Sequence, residues 1–251
     1  MKIGAIIQGR TTSTRLPRKI LKNLPYDSDI TVLEQEINRL KKSELLNEII
    51  VATTTNKSDD EIVELAKKNE VPHYRGDEFN VLERYYQSAK MFNVDVVVRI
   101  TSDCPCVDRR LVDNIIMDHV SKNVDYSSNS LNGRLIRGFD LEVINFQALT
   151  KAFLNATEDF EREHVTPYIY ESHPERFNIN SIEDDDLSVP GVRVTLDTEE
   201  DYMLLCAVFD YLYHDDNDFS ATDVVNLFKK RPWLMNINKN IKQKKLKVIV
   251  K

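Results

Sequence analysis

The chain has 251 residues, 41% hydrophobic and 30% charged, with a formal net charge of -7, which fits one large α/β domain with ample length for a core. No stretch reaches the roughly 18 apolar residues that span a bilayer, the acidic balance argues against broad nucleic-acid binding, and the opening MKIGAII runs into a strand-like pattern with no signal-peptide core. The expected location is therefore the cytoplasm. Cys104, Cys106 and Cys206 make an odd count without a disulfide framework, and Cys104-Pro-Cys106 lacks metal-site spacing, so they read as structural thiols.

The first element is a strand over 3–7. It feeds directly into the segment 6–19, IIQGRTTSTRLPRK, which places Arg10, Arg15, Arg18 and Lys19 among four hydroxyls. Guanidinium forks match phosphate oxygens bidentately, an ammonium adds a point charge, and a loop leaving a strand can turn backbone N–H groups on the same anion. In open α/β sheets the crevice beyond the carboxyl end of a strand is where ligands sit. This order of parts points to a polyphosphate cradle. The loop has neither G-x-x-x-x-G-K-[ST] nor G-x-G-x-x-G, and its one glycine is Gly9, which disfavours a P-loop kinase or a dinucleotide-binding dehydrogenase.

Alternation then continues: a helix over about 31–42, a strand over 48–52, a helix over 59–69, a strand over 71–74, a helix over 79–91 and a strand over 95–100. Such alternation predicts a mostly parallel sheet with helices on both faces. Ser58-Asp59-Asp60-Glu61 supplies a cap and first-turn acids for the helix that follows. After a helix over 109–120 the pattern becomes less regular. Extended structure around an Asn132-Gly133 turn, helices over 146–155 and 160–171, a strand pair at 177–181 and 192–196 and an acidic helix over 198–213 are expected. Residues 126–190 read as an inserted lid or subdomain of one domain. The last 14 residues carry six lysines and end in an alternation of Leu246, Val248 and Val250 like an edge strand.

Two carboxylates stand where a sheet opens onto a ligand. Asp103 follows the strand VDVVVRI, which also carries Arg99, and Asp197 follows the alternating Val192, Val194 and Leu196. Mg²⁺ takes such oxygens and shares its shell with substrate phosphates. Asp197, followed by Thr198, Glu199 and Glu200, serves equally well as a helix-capping acid, and the two roles are compatible. In RGFDLEV, Gly138 marks a bulge that re-aims Arg137, Asp140 and Glu142. His164 lies on a helix, where a lone histidine is more often packed than catalytic.

The motifs IIQGRTTSTRLPRKIL, EIIVATTTN, RGDEFNVLERYY, VVRITSDCP, RGFDLEV, EREHVTPYIY and VTLDTEED, in this order, resemble the cytidylyltransferases of the acylneuraminate and KDO type, most closely their spore-coat polysaccharide biosynthesis branch. The resemblance runs from residue 3 to about 210. It implies a GT-A-like nucleotide-diphospho-sugar transferase fold, and an activity that couples an acidic nonulosonic acid or a sugar phosphate to CMP and releases pyrophosphate, for surface-glycan biosynthesis.

By that resemblance the triphosphate of CTP falls to Gln8, Gly9, Arg10, Ser13, Arg15 and Lys19, with Arg99, Ser102 and Asp103 beside it. Base and ribose fall to Ala52, Thr53, Arg75 and Gly76, and the acceptor sugar to Arg137, Asp140, Glu142 and His164. Asp103 and Asp197 would hold Mg²⁺ or Mn²⁺, with Arg15, Lys19, Asp103 and Asp197 as the catalytic set, and a homodimer is expected by family analogy. The family pattern has IQAR and LPGK where this chain has Gly9 and Arg18. A nucleotide-binding subunit without turnover and a glycosyltransferase of similar fold are the alternatives. The latter type usually carries Asp-x-Asp, and the matches here, at Asp27, Asp184 and Asp216, lie in acidic loops.

Overall fold

The computed structural model describes residues 1–132, 136–183, 185–214 and 218–241. Among these described residues seven strands form one sheet in the order β3-β2-β1-β4-β6-β5-β7. Strand β1 (Ile3–Gln8) lies at its centre, parallel to β2 (Glu48–Thr54) on one side and β4 (Val96–Thr101) on the other. β3 (His73–Gly76) extends the parallel half; it begins two residues later than predicted. β6 (Glu142–Asn145) returns antiparallel to β4, followed by β5 (Tyr126–Ser128) and then β7 (Ile179–Ser181), parallel to β5. Strands from 126–181 thus continue the main sheet.

Strands buried on both faces need apolar residues of both parities, and β1 supplies them. Ile3, Ala5 and Ile7 pack with α1 (Val32–Leu40), α2 (Asp60–Lys68) and α4 (Arg109–Lys122), while Ile6 faces α3 (Val81–Met91) and α5 (Phe146–Asn155). Thr31 and Glu34 close a capping box at the start of α1. A third apolar cluster lies between α7 (Glu199–Leu212) and α8 (Ala221–Lys230), built on Leu205, Val208, Phe209, Val224 and Phe228. Sequence reading left α8 out, although Ser220 and Asp223 cap it as a box.

Two expectations fail for local reasons. The helix expected over 160–171 breaks: α6 (Asp159–His164) stops at Val165, whose φ of 76° and ψ of -56°, with Thr166 N–H bonded to the His164 carbonyl at 2.9 Å, make a γ-turn. Pro167 follows, and it disfavours helical backbone at Thr166. The segment 192–196 does not pair with 177–181. Arg193 instead bridges Arg137 in parallel, and Val194 N–H reaches the Arg137 carbonyl at 2.8 Å. Gly138 (φ 110°) allows this contact, because a Cβ there would meet the Val194 backbone at 2.7 Å. The Asn132-Gly133 turn, the Asp-x-Asp matches at 184 and 216 and the C-terminal alternation fall outside the described residues. Among those described, no helix is long and apolar enough to cross a membrane.

Candidate active site

Where β1 ends, its neighbours are β2 and β4, so the loops after all three strands open on one crevice. Gln8 accepts from Ser102 N–H at 3.1 Å and Gly9 N–H donates to the Ala52 carbonyl at 3.1 Å. At Gly9 the side chains of Ser102 and Ile20 fill the space a Cβ would take, with Ser102 Oγ 2.7 Å from it, so the chain approaches closely at this position.

The loop then runs out and returns at Lys19, which is buried at the mouth of the sheet. Lys19 Nζ donates to Asp103 Oδ2 at 2.8 Å, to the Leu196 carbonyl at 2.6 Å and to Asp197 Oδ1 at 2.9 Å. Arg15 Nη2 reaches Asp197 Oδ1 at 2.8 Å. Arg15 and Lys19 from the loop and the two distant carboxylates therefore converge on one point.

Burial works against the Lys19 charge, but Asp103 and Asp197 outweigh it and raise its pKa. Burial likewise pushes the Asp103 carboxyl up and the nearby Asp197 adds to this, yet Lys19 holds it below the ordinary value. Asp197 falls to about 2: burial opposes the shift, and Lys19, Arg193 and Arg15 overcome it.

Sequence reading missed the support behind Asp197. Arg193 grips Asp197 Oδ2 at 2.5 Å and both oxygens of Asp201 at 3.0 Å. Asn238 donates to Asp201 Oδ1 at 2.9 Å. Asp201 also accepts from Asp197 N–H at 3.0 Å, so Asp197 is fixed through both its side chain and its backbone. The available signal was Arg193 four residues before Asp197 and Asp201 four residues after it. Glu36 on α1 was missed as well. It is fully buried, accepts from Cys104 N–H at 2.9 Å and so sets the turn carrying Asp103.

Several other candidates are engaged elsewhere. Arg10 pairs with Glu78 at 3.2 Å, and Ser13 sits half-buried in the loop. Thr53 donates to Asp59 at 3.1 Å. Arg75 donates to the carbonyls of Thr54 and Asn56, each at 2.7 Å, and to Asp60 at 2.6 Å, which organises the loop after β2. Gly76 packs so tightly that a Cβ would meet Glu83 Oε2 at 2.7 Å.

Arg99 and Glu142 form an ion pair with each other across β4 and β6. Glu142 also accepts from Tyr126 Oη and, at 2.7 Å, from Thr166 Oγ1, which the γ-turn at Val165 delivers. Arg137 pairs with Asp140 at 2.7 Å. His164 is half-buried at the end of α6, its pKa lowered first by burial, an effect the nearby Arg99 reinforces.

The donor set suits a hard divalent ion. Two carboxylates share one ammonium, and Mg²⁺ or Mn²⁺ accepts one or two such ligands with phosphate oxygens and water completing the shell. Among the described residues no group of three or more His, Cys, Asp or Glu is placed to hold a metal ion.

A cationic loop at the switch point of a mostly parallel sheet, set against paired carboxylates, defines a crevice suited to a polyphosphate ligand. The cytidylyltransferase family profile matches residues 4–246, and the chain belongs to that family. It is 41% identical over 245 residues, 97% of each chain, to the uncharacterized protein MJ1063 of Methanocaldococcus jannaschii. It is 31% identical over 233 residues, 90% of this chain and 94% of the other, to the spore coat polysaccharide biosynthesis protein SpsF of Bacillus subtilis. A solved cytidylyltransferase from Leptospira borgpetersenii superposes with a TM-score of 0.88 at 32% identity, covering 98% of this chain and all 100% of the other.

Proposed function

We propose that this cytidylyltransferase takes CTP and a small sugar acceptor, an acidic nonulosonic acid or a sugar phosphate, and forms the CMP-sugar with release of pyrophosphate for surface-glycan assembly. The observation that carries the proposal is the convergence of Arg15 and Lys19 on Asp103 and Asp197 at the mouth of β1 and β4. The similarity to SpsF, a spore coat polysaccharide biosynthesis protein, supports the sugar class.

An incoming triphosphate competes with Asp197 for Arg15 and with both carboxylates for Lys19. Its oxygens take over those donors, and the displaced carboxylates become available to a divalent cation. Asp103 and Asp197 would hold Mg²⁺ or Mn²⁺, which when bound would neutralise charge on the phosphates. Arg15 and Lys19 stay with the β- and γ-phosphates and stabilise the charge that develops on the departing pyrophosphate, a preorganised electrostatic contribution. Arg193 and Asp201 keep Asp197 oriented throughout. Arg137, Asp140 and His164 border the acceptor side, where an acceptor oxygen is aligned with the α-phosphorus. The proposal includes a homodimer formed through residues 126–190.

The test is pyrophosphate release from CTP and Mg²⁺ across a panel of nonulosonic acids and sugar phosphates, with ATP, GTP and UTP as controls. Turnover with at least one acceptor and preference for CTP are expected; no turnover across the panel defeats the proposal. Light scattering at twice the chain mass reads the dimer.

A further inference from the structure

The acidic start of α2 faces the phosphate loop from the side opposite Asp103 and Asp197. Asp59 is the N-cap residue of α2, yet its side chain makes no capping bond. It is fully buried and turned inward instead. One oxygen accepts from Thr11 N–H at 2.9 Å and Thr11 Oγ1 at 2.6 Å, and the other from the hydroxyls of Thr53 at 3.1 Å and Thr54 at 2.5 Å. Burial alone would push this carboxyl up; the bonds from Thr11, Thr54 and Thr53 overcome it and hold the pKa below the ordinary value.

Thr11 is thereby committed. A loop that closes on an anion points its early N–H and hydroxyl groups at the phosphate, but here both belong to a buried carboxylate, so Thr11 is an anchor. Its carbonyl accepts from Arg18 N–H at 2.9 Å, which ties the two ends of the loop together. Arg18 sits at φ 58° and its guanidinium makes two bonds to Glu61, at 2.9 and 2.6 Å. The base of the loop is thus held by Asp59 through Thr11 and the backbone bond from Arg18, and Arg15 lies between those two points.

We propose that Asp59 is a positioning residue for the nucleotide loop: by holding Thr11 against the end of β2, and through Thr11 the return at Arg18, it sets the spacing at which Arg15 and Lys19 meet the triphosphate. This rests on the CTP-binding role proposed for that loop.

The full-length protein is compared with Asp59→Ala, Asp59→Asn and Thr11→Val in two measurements: amide hydrogen exchange of residues 9–20 without nucleotide, and calorimetric binding of CTP with Mg²⁺. In Asp59→Ala, loop exchange rises and CTP Kd weakens by about tenfold, the size expected when buried donors lose their partner, while exchange in β1 and β4 is unchanged. Asp59→Asn retains one acceptor oxygen and falls between, a partial rescue by the conservative change. Thr11→Val keeps the shape, removes one donor and moves both readouts in the same direction; it decides the matter if Asp59→Ala does not fold. A merely structural role lowers the binding stoichiometry and leaves Kd unmoved, and that result overturns the proposal. If the unmodified protein binds no CTP, the cytidylyl proposal fails by itself; loop exchange then decides whether Asp59 sets the loop, and unchanged exchange in the variants defeats it.

Discussion

Two ion-pair clusters sit on the same strand, β4 and the turn that follows it, and they differ in what surrounds them. Arg99 pairs with Glu142 between sheet and helices, where Tyr126 and Thr166 also donate to the carboxylate. Asp103, four residues on, faces Lys19 and lies near Asp197 and Arg15 at a mouth where Arg15 and Asp103 keep some exposure. The first cluster is closed: each added partner makes exchange with a ligand harder. The second is open, because its cations and carboxylates can trade each other for phosphate and metal. Charge pairing alone therefore does not mark a site; access for a competing ion does.

The largest expected effect tests the closed cluster. Glu142→Ala strands Arg99 in the interior, and breaking a buried pair from one side costs about 3–5 kcal/mol. At about 2–4 °C per kcal/mol for a chain of this size, thermal melting should show a drop near ~10 °C. A melting temperature like that of the unmodified protein would mean that the cluster is open to rearrangement after all.

Lys19→Ala tests the other side of the comparison. Losing a charge-stabilising donor lowers kcat/KM by about 10²–10³, while the melting temperature falls by less than in Glu142→Ala. Equal destabilisation by both substitutions would erase the distinction between the clusters.

A smaller effect appears in acid. Asp197 is depressed from an ordinary 3.8 to about 2, so its folded-state charge stabilises the protein fully above the unfolded value and that contribution is lost as the pH falls from about 4 to about 2. Urea melts over this range should slope downward towards low pH, and Asp197→Asn should flatten that slope. The smallest effect is expected at Arg18→Gly. Glycine adopts the φ of 58° without strain, and the Arg18–Glu61 pair that is lost is exposed; melting temperature and CTP Kd should stay close to those of the unmodified protein.

How much was legible follows from the range of the interactions. Ile3, Ala5, Ile6 and Ile7 announce a doubly buried strand, the cations behind them announce an anion loop, and Asp103 and Asp197 follow strand-like patterns within a few residues. Other features depend on partners far along the chain. Asp59 looked like a cap because Ser58 and Glu61 flank it, and only the proximity of Thr11 shows why it turns inward. Arg99 and Glu142 sit in separate motifs, and only the antiparallel return of β6 makes them partners. Val165 broke its helix at a residue whose type favours no turn. The amphipathic period of α8 is visible in Val224, Val225 and Phe228.

The sequence by itself determined the alternation of strands and helices, the cationic loop after β1 and the acids after β4 and before α7, because periodicity, capping and charge density act over a handful of neighbouring residues. The tertiary structure alone decided which charges are available. Whether a carboxylate meets a lysine at an open mouth, an arginine in the core or three threonines under a loop depends on strand order, and strand order is fixed by burial summed over the whole chain.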